Sequence, residues 1–180
     1  MNPSANLILV GPMGAGKTCI GQRLAGLFGL RLLDADHEIE CDSGATVTDI
    51  FEREGEAGFR ARETAMLARL LDAEGILLAT GGGAVLDARN RALLRERGFV
   101  VHLQAGVEQQ LERLAHDTTR PLLARPDREQ VLRGLAAIRT PLYAEVADLA
   151  FDSAGLDADT AAVQLSALLA QRWQRLGAAA

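Results

Sequence analysis

The chain has 180 residues, of which 48% are hydrophobic and 24% are charged, and its mean hydropathy is +0.06. This balance predicts a single folded domain over residues 1–180. It excludes a disordered tail, a coiled-coil rod and a chain that spans a membrane. The net charge of −5 argues against nucleic acid as the main partner, because binding to phosphate backbones requires a basic face.

The cysteines and histidines show no disulfide or metal-site pattern. Cys19 and Cys41 lack CxxC spacing, and His37, His102 and His116 lack the spacing of metal ligands. We expect the histidines on the surface or at helix ends. The N-terminus has no basic and apolar regions of a secretory signal, so we expect a reduced, cytoplasmic protein. We also expect a monomer, although no sequence feature specifies the oligomeric state.

Five short apolar runs predict β-strands. They are continuous rather than alternating, which is typical of strands covered on both faces. Between them, apolar residues recur with the spacing of amphipathic helices. The predicted strands are 7–10, 30–33, 76–79, 99–103 and 149–151, and the predicted helices are 17–28, 60–72, 87–97, 107–116, 128–144 and 157–175.

This alternation predicts an α/β fold in which helices cover both faces of an open parallel sheet. Ligands of such sheets bind beyond the carboxyl ends of the strands, so the residues after each strand are the candidate site residues. The segment 117–126 interrupts the pattern with prolines, threonines and two arginines. It predicts an exposed loop and is the best candidate for a mobile lid.

A phosphate-binding motif follows the first strand. The sequence GPMGAGKT at residues 11–18 fits the pattern GxxxxGK[ST] between a strand and a helix. Its glycines let backbone N–H groups point inward around an anion, and the helix N-terminus adds positive potential. Lys17, the only lysine among the 19 basic residues, is placed to contact the β- and γ-phosphates. The Thr18 hydroxyl is placed to bind Mg²⁺.

Two carboxylates, Asp34 and Asp36, follow the second strand. On an extended backbone they would point to one face, toward the phosphate loop if the second strand lies beside the first. One could order water around Mg²⁺ while the other accepts hydrogen bonds from a substrate hydroxyl. The alternative is a solvated turn in which Asp36 caps a helix that starts near His37.

Three consecutive glycines, Gly81, Gly82 and Gly83, follow the third strand. Glycine leaves the backbone bare, so a ligand can approach closely and bind the N–H groups. A flexible turn into the next helix is the alternative explanation.

Three arginines have contexts that suggest ligand binding. Arg60 opens a predicted helix, Arg120 lies in the lid-like loop, and Arg139 lies near the end of a predicted helix. Guanidinium groups bind carboxylates and phosphates through two parallel hydrogen bonds, which lysine cannot do. In a chain with so many arginines, each of the three is also explained as a solvated surface residue.

Together these motifs resemble the shikimate kinase family, a group of small P-loop kinases similar to nucleoside-monophosphate kinases. The resemblance extends from residue 7 to about residue 152, and the order and spacing of the motifs make it specific. It is carried by GPMGAGKT at 11–18, DAD at 34–36, EIE at 38–40, TGGG at 80–83, RPLL at 120–123 and PLY at 141–143, together with Ile50, Phe51, Gly55, Glu56, Phe59, Arg60, Glu63, Arg139, Ala147 and Asp148.

The resemblance implies a three-layer α/β/α P-loop kinase fold with a five-stranded parallel sheet. The loop 117–126 would be its mobile lid, and residues 34–62 its acceptor-binding region. The implied reaction transfers the γ-phosphoryl group of MgATP to the 3-hydroxyl of shikimate, in aromatic amino-acid biosynthesis. ATP and Mg²⁺ are the implied cofactors, and shikimate is the implied small-molecule substrate.

The resemblance also implies roles for individual residues. Lys17, Asp36 and Arg120 would be catalytic, and Asp36 would either remove a proton or only orient the hydroxyl. Cys19 replaces the Thr or Ser of many relatives, and we expect it to point into the helix packing. The segment 151–155 keeps only part of the family's adenine-loop pattern. The nucleotide would be bound by Gly14, Ala15, Gly16, Lys17, Thr18, Cys19, Arg113 and Arg120, shikimate by Asp36, Arg60, Gly81, Gly82, Gly83 and Arg139, and Mg²⁺ by Thr18 directly and by Asp34 through water.

Two other functions stay open on the sequence alone. A kinase for another small metabolite, such as gluconate, would share the phosphate loop and the lid but need not combine Asp36 with Arg60, Arg139 and three glycines. A nucleotide-dependent switch or ATP-sensing module would need only the phosphate loop. A guanine-reading switch is excluded, because its Asn-Lys-x-Asp motif requires a second lysine.

Overall fold

The centre of the fold is a parallel β-sheet. The computed structural model describes residues 4–115 and 127–175. Five strands lie in this part of the chain: β1 (Leu7–Val10), β2 (Arg31–Asp34), β3 (Ile76–Ala79), β4 (Phe99–Gln104) and β5 (Leu149–Asp152). Their order in the sheet is β2-β3-β1-β4-β5, and all neighbours are parallel.

Helices follow or precede every strand within the described residues. None of them has the length and apolar character needed to cross a membrane. They are α1 (Lys17–Phe28), α2 (Ala35–Ser43), α3 (Val47–Leu70), α4 (Ala88–Arg97), α5 (Val107–Arg113), α6 (Arg128–Val146) and α7 (Ala158–Arg172).

The sheet separates two hydrophobic cores. Successive side chains of a strand point to opposite faces, and in β1 all four are fully buried. Leu7 and Leu9 pack with residues of α1 and α7, whereas Ile8 and Val10 pack with residues of α3, α4 and α6. Helices therefore cover both faces of the sheet, which confirms the predicted three-layer α/β/α architecture. The predicted lid at 117–126 lies outside the described residues and stays a prediction.

Helix α3 departs most from the sequence prediction, which placed a helix start at residue 60. The helix begins at Val47, where Thr46 and Asp49 form a capping box. Its backbone leaves helical geometry at Gly55 (φ 70°, ψ −178°), a conformation that favours glycine, and then becomes helical again. Arg60 therefore lies inside a kinked helix rather than at the start of one.

His102 is buried in the sheet, so its predicted position at the surface or at a helix end is wrong. It lies in β4 and is 4% exposed, and its ring packs against Tyr143 with 5.0 Å between ring centroids. Burial, with a smaller effect of the nearby Lys17 charge, lowers the pKa of His102 to about 4. His37 is exposed, as predicted, and His116 lies outside the described residues.

The low pKa of His102 predicts a loss of stability in mild acid. An unfolded histidine titrates near pH 6.5, so between pH 6.5 and pH 4 the unfolded chain binds more protons than the folded one, and acid favours unfolding. Urea unfolding at pH 7, 5.5 and 4.5 should show a smaller acid-induced loss for His102→Phe than for the wild type. His37→Gln, which changes an exposed histidine, should follow the wild type. Equal losses in the wild type and His102→Phe would contradict this assignment.

Candidate active site

The loop between β1 and α1 has a backbone shape that suits a phosphate group. Gly11, Gly14 and Gly16 have φ values of 145°, 75° and 89°, which glycine adopts without strain. A side chain on Gly11 would also overlap the carbonyl oxygen of Leu103 in β4. The following helix starts at Lys17 without a side-chain cap, so its first N–H groups are available to an anion.

Lys17 lies across this loop. Its Nζ donates to the carbonyl oxygens of Gly11 and Pro12, each at 2.8 Å. The single ammonium side chain of the protein is therefore positioned over the loop that the motif predicts to bind phosphate. Its charge also reaches His102 in the neighbouring strand β4, where it contributes to the lowered pKa.

Asp34 connects the phosphate loop to helix α2. Its Oδ2 accepts a hydrogen bond from Thr18 Oγ1 at 2.6 Å, and its Oδ1 accepts from the N–H groups of Asp36 (3.1 Å) and His37 (3.3 Å). The cap of α2 is therefore Asp34, and the alternative in which Asp36 caps this helix is wrong. Strand β3 separates β2 from β1, so the strands are not neighbours. Asp34 nevertheless reaches Thr18, because both lie at the carboxyl edge of the sheet.

Residues 81–83, here called the glycine turn, connect β3 to a short 3₁₀ turn, Ala84–Leu86. Each glycine lies against a different charged side chain, and a Cβ atom on Gly81 or Gly83 would crowd that group. A Cβ on Gly81 would lie 2.7 Å from Asp36 Oδ1, one on Gly82 would lie 3.4 Å from Arg139 Nη1, and one on Gly83 would overlap the guanidinium group of Arg60.

A cavity of about 130 Å³ lies against the glycine turn, and we call it the acceptor cavity. Asp36, Arg60 and Arg139 line it together with the apolar rings of Phe51 and Phe59. Arg139 is only 6% exposed and lies within α6, so it is neither a surface arginine nor near the end of its helix. Its Nε atom is buried and has no hydrogen-bond partner in residues 4–115 and 127–175.

The acceptor cavity adjoins the phosphate loop. Met13 from that loop forms part of the cavity wall, and a Cβ on Gly82 would lie 3.6 Å from the Met13 nitrogen. A molecule in the cavity would therefore lie beside a phosphate chain bound by the loop. This proximity is the arrangement that direct group transfer requires.

Glu63 is a site residue to which the sequence analysis assigned no role. It is fully buried, and its Oε2 accepts a hydrogen bond from Arg60 Nη1 at 2.6 Å. Burial raises the pKa of Glu63, and the neighbouring Arg60 acts in the opposite direction. The ion pair holds the Arg60 guanidinium against the glycine turn. The sequence signals for Glu63 were a place among the residues that carry the family resemblance and the three-residue spacing from Arg60, which puts both residues on one helix face.

Arg113 links the phosphate loop to the segment after β5. Its Nη1 donates to the Gly14 carbonyl oxygen (2.9 Å), and its Nη2 donates to the Ser153 carbonyl oxygen (3.2 Å). Ser153 is completely buried, so the Arg113 side chain connects the phosphate loop to a packed part of the protein. The exposed side chain of Arg113 is therefore at the edge of the phosphate loop, on the side of β5.

Two further predicted site residues are Cys19 and Arg120. Cys19 is exposed on α1, so the expectation that it points into the helix packing is wrong. Arg120 lies outside the described residues, and its role stays a prediction. The side of α1 that packs into the core comprises Ile20, Gly21, Leu24 and Ala25.

Comparisons with known proteins identify the family. The family model for shikimate kinase matches residues 13–170. The chain belongs to the shikimate kinase family. A shikimate kinase from Stenotrophomonas maltophilia (strain R551-3) is 58% identical over 175 residues, which are 97% of each chain. One from Xanthomonas campestris pv. campestris (strain 8004) is 55% identical over 174 residues, again 97% of each.

A solved structure agrees with this family assignment. Shikimate kinase from Acinetobacter baumannii, in complex with shikimate, has a TM-score of 0.89 and 49% sequence identity, and the match covers 95% of this chain and 96% of that chain. The predicted family and the predicted P-loop kinase fold are therefore confirmed. As a shikimate kinase, the chain is an ATP-dependent small-molecule kinase of aromatic amino-acid biosynthesis.

Proposed function

We propose that this chain transfers the γ-phosphoryl group of MgATP to the 3-hydroxyl of shikimate, giving shikimate 3-phosphate and ADP. The observation that carries the proposal is the convergence of Asp36, Arg60 and Arg139 on the glycine turn, beside the phosphate loop. Shikimate has one carboxylate and three hydroxyls. Two guanidinium groups, one carboxylate and bare backbone N–H groups complement that molecule.

In this proposal the two arginines bind the shikimate carboxylate. Arg60 is held by the buried Glu63, and Arg139 is held by burial within α6, so both guanidinium groups are preorganised for a carboxylate. Asp36 lies against Gly81, where it accepts hydrogen bonds from ring hydroxyls. The same position suits either proton removal from the reacting hydroxyl or its orientation.

The nucleotide occupies the phosphate loop. Residues 14–19 supply backbone N–H groups around the phosphates, and Lys17 stabilises charge on the β- and γ-phosphates. Arg113, exposed beside Ser153, packs against the adenine base. Arg120 contributes a further positive charge to the transferred phosphoryl group.

Mg²⁺ fits the oxygen groups beside this loop. Thr18 Oγ1 and Asp34 Oδ2 lie 2.6 Å apart, and both are hard oxygen donors of the kind that Mg²⁺ prefers. Residues 4–115 and 127–175 contain no cluster of three or more acidic, histidine or cysteine ligands. A site with so few protein ligands suits an ion held chiefly by phosphates and water, with Thr18 as a direct ligand and Asp34 acting through water. When bound, the ion neutralises developing phosphate charge.

Positioning accounts for most of the catalysis in this scheme. Phosphoryl transfer requires an attacking oxygen in line with the leaving group and positive charge around the transferred group. The glycine turn and α6 fix the acceptor, and the phosphate loop fixes the donor. Residues 117–126 are the predicted lid, and its closure over the substrates would exclude water and limit ATP hydrolysis. We further propose that the enzyme acts as a cytoplasmic monomer.

A coupled assay of ADP release tests the proposed function. The purified protein is incubated with MgATP and shikimate, gluconate or no acceptor. We expect rapid turnover with shikimate and only background turnover in the other two reactions. Turnover of gluconate without turnover of shikimate would support the rival metabolite kinase. ATP binding without acceptor-stimulated turnover would support an ATP-sensing module.

A further inference from the structure

One hydrogen bond beside the acceptor cavity has no part in the roles assigned above. Tyr143 lies on α6 one turn after Arg139, and its hydroxyl donates to the carbonyl oxygen of Gly82 at 2.5 Å. The residue is 1% exposed, and its ring packs against His102. Burial raises the pKa of Tyr143 to about 12, so the hydroxyl keeps its proton and acts as a donor at physiological pH.

This hydrogen bond fixes the orientation of the peptide between Gly82 and Gly83. A trans peptide is planar, so its carbonyl oxygen and its N–H point in opposite directions. Tyr143 lines a second cavity of about 180 Å³, which shares Met13 and Arg139 with the acceptor cavity, and Tyr143 is not part of the acceptor cavity wall. The Gly82 carbonyl therefore points toward Tyr143, and the N–H of Gly83, a residue that lines the acceptor cavity, points the opposite way.

One backbone hydrogen bond closes the glycine turn around that peptide, because the Ala84 N–H donates to the Gly81 carbonyl oxygen at 3.2 Å. Glycine residues on both sides allow the peptide plane to rotate at small steric cost. Within residues 4–115 and 127–175, the Gly83 N–H makes no hydrogen bond to the protein. The Tyr143 hydroxyl is therefore the side-chain contact that holds the carbonyl of this peptide.

We propose that Tyr143 is a positioning residue for the acceptor. Its hydroxyl holds the Gly82–Gly83 peptide so that the Gly83 N–H donates a hydrogen bond to shikimate. Arg139 contacts the same substrate from the preceding turn of α6, so one helix face both binds the acceptor and orients the backbone beneath it. This inference rests on the proposed function, because it concerns the same cavity.

Tyr143→Phe tests the inference, because it removes the hydroxyl and keeps the ring. We expect the KM for shikimate to rise roughly three- to tenfold, as for the loss of one buried hydrogen bond. The KM for ATP and kcat should change less than twofold, since the phosphate loop is unaltered. A KM for shikimate within twofold of the wild type, or an equal rise in both KM values, would overturn the proposal.

Trp173→Phe is a matched control. This substitution also removes a buried donor to a backbone carbonyl, since Trp173 Nε1 donates to the carbonyl oxygen of Ser4 at 2.9 Å. Trp173 lies far along the chain from the glycine turn. Both variants should lower the melting temperature, but only Tyr143→Phe should raise the KM for shikimate. If Trp173→Phe raises that KM to the same extent, the effect reflects general destabilisation and the proposal fails.

A measurement on the wild type does not depend on the folding of any variant. In protein labelled with ¹⁵N-glycine, saturation with shikimate should shift the Gly83 amide resonance and leave that of Gly134, an uncrowded glycine on α6, unchanged. An unmoved Gly83 resonance would overturn the positioning role even if shikimate is phosphorylated. Absence of wild-type turnover with shikimate would instead contradict the proposed function, so the two failures are distinguishable.

Discussion

Replacing Lys17 with alanine is expected to lower kcat roughly a hundred- to a thousandfold. Removing a single preorganised donor from a developing negative charge costs about 3–4 kcal/mol in enzymes, which corresponds to a factor of this size. In this chain no second lysine exists to take over the role. Lys17 lies over the phosphate loop with its Nζ 2.8 Å from two loop carbonyls, so its replacement removes positive charge from the loop that we propose to hold the transferred phosphoryl group.

The loss should be confined to catalysis. Asp36, Arg60 and Arg139 belong to other elements, so Lys17→Ala should still bind shikimate in a calorimetric titration and should unfold near the wild-type temperature. Lys17→Arg keeps the charge but replaces a compact ammonium with a larger planar group, and it should also be impaired. A near-normal kcat in Lys17→Ala would contradict the assignment of the phosphate loop.

The lone lysine also permits a chemical test on the wild-type protein. An amine-specific acylating reagent can modify only Lys17 and the N-terminal amine. Bound MgATP should protect Lys17, and peptide mapping by mass spectrometry distinguishes the two sites. Equal modification with and without the nucleotide would show that Lys17 does not face the phosphates.

The parts of the fold that sequence predicts well are those determined by local burial. Strands β1 and β3 and helix α1 have the predicted bounds, because continuous apolar runs and a regular apolar spacing identify elements packed on the sheet. The first segment of α3 was missed because residues 52–57 are exposed and carry no apolar periodicity. Its start depends instead on the capping box of Thr46 and Asp49.

For His102, the residue type predicts exposure, whereas the side chain is buried. Histidine is often exposed, but its neighbours in β4 are consecutive apolar residues, and β4 lies between β1 and β5. In a parallel sheet both faces are covered, so a polar residue inside such a run becomes buried with the rest of the strand. The strand context therefore predicts the burial of His102 better than the residue type does.

The candidate site was predictable only in part. The phosphate loop is contiguous in sequence, and its motif can be recognised there. Asp36, Arg60 and Arg139 are far apart along the chain, and no local pattern brings them together. Their sequence contexts mark each one as a candidate, the family resemblance groups them in one site, and the fold places all three on the glycine turn. The Tyr143–Gly82 hydrogen bond and the Arg60–Glu63 ion pair depend on how helices pack against the sheet, which local sequence patterns do not specify.

Replacing Arg139 with alanine is expected to raise the KM for shikimate roughly 10- to 150-fold, because hydrogen bonds to charged groups contribute about 1.5–3 kcal/mol each. The KM for ATP should change less than threefold, since the phosphate loop does not include this residue. Arg139→Lys should recover little of the loss, because an ammonium cannot form the two parallel bonds that a carboxylate accepts from guanidinium. Steady-state kinetics with each substrate varied in turn measures both constants.

Arg133→Ala on the same helix is the matched control. Arg133 is exposed and forms ion pairs with Glu108 and Glu129, so its loss removes the same charge from α6 without altering the acceptor cavity. Surface ion pairs contribute little to stability, and both KM values should stay close to those of the wild type. An equal rise of the two KM values in Arg139→Ala, or a similar rise in Arg133→Ala, would mean that the net charge of the helix is responsible. The acceptor would then have to be bound by groups other than the buried guanidinium beside Gly82.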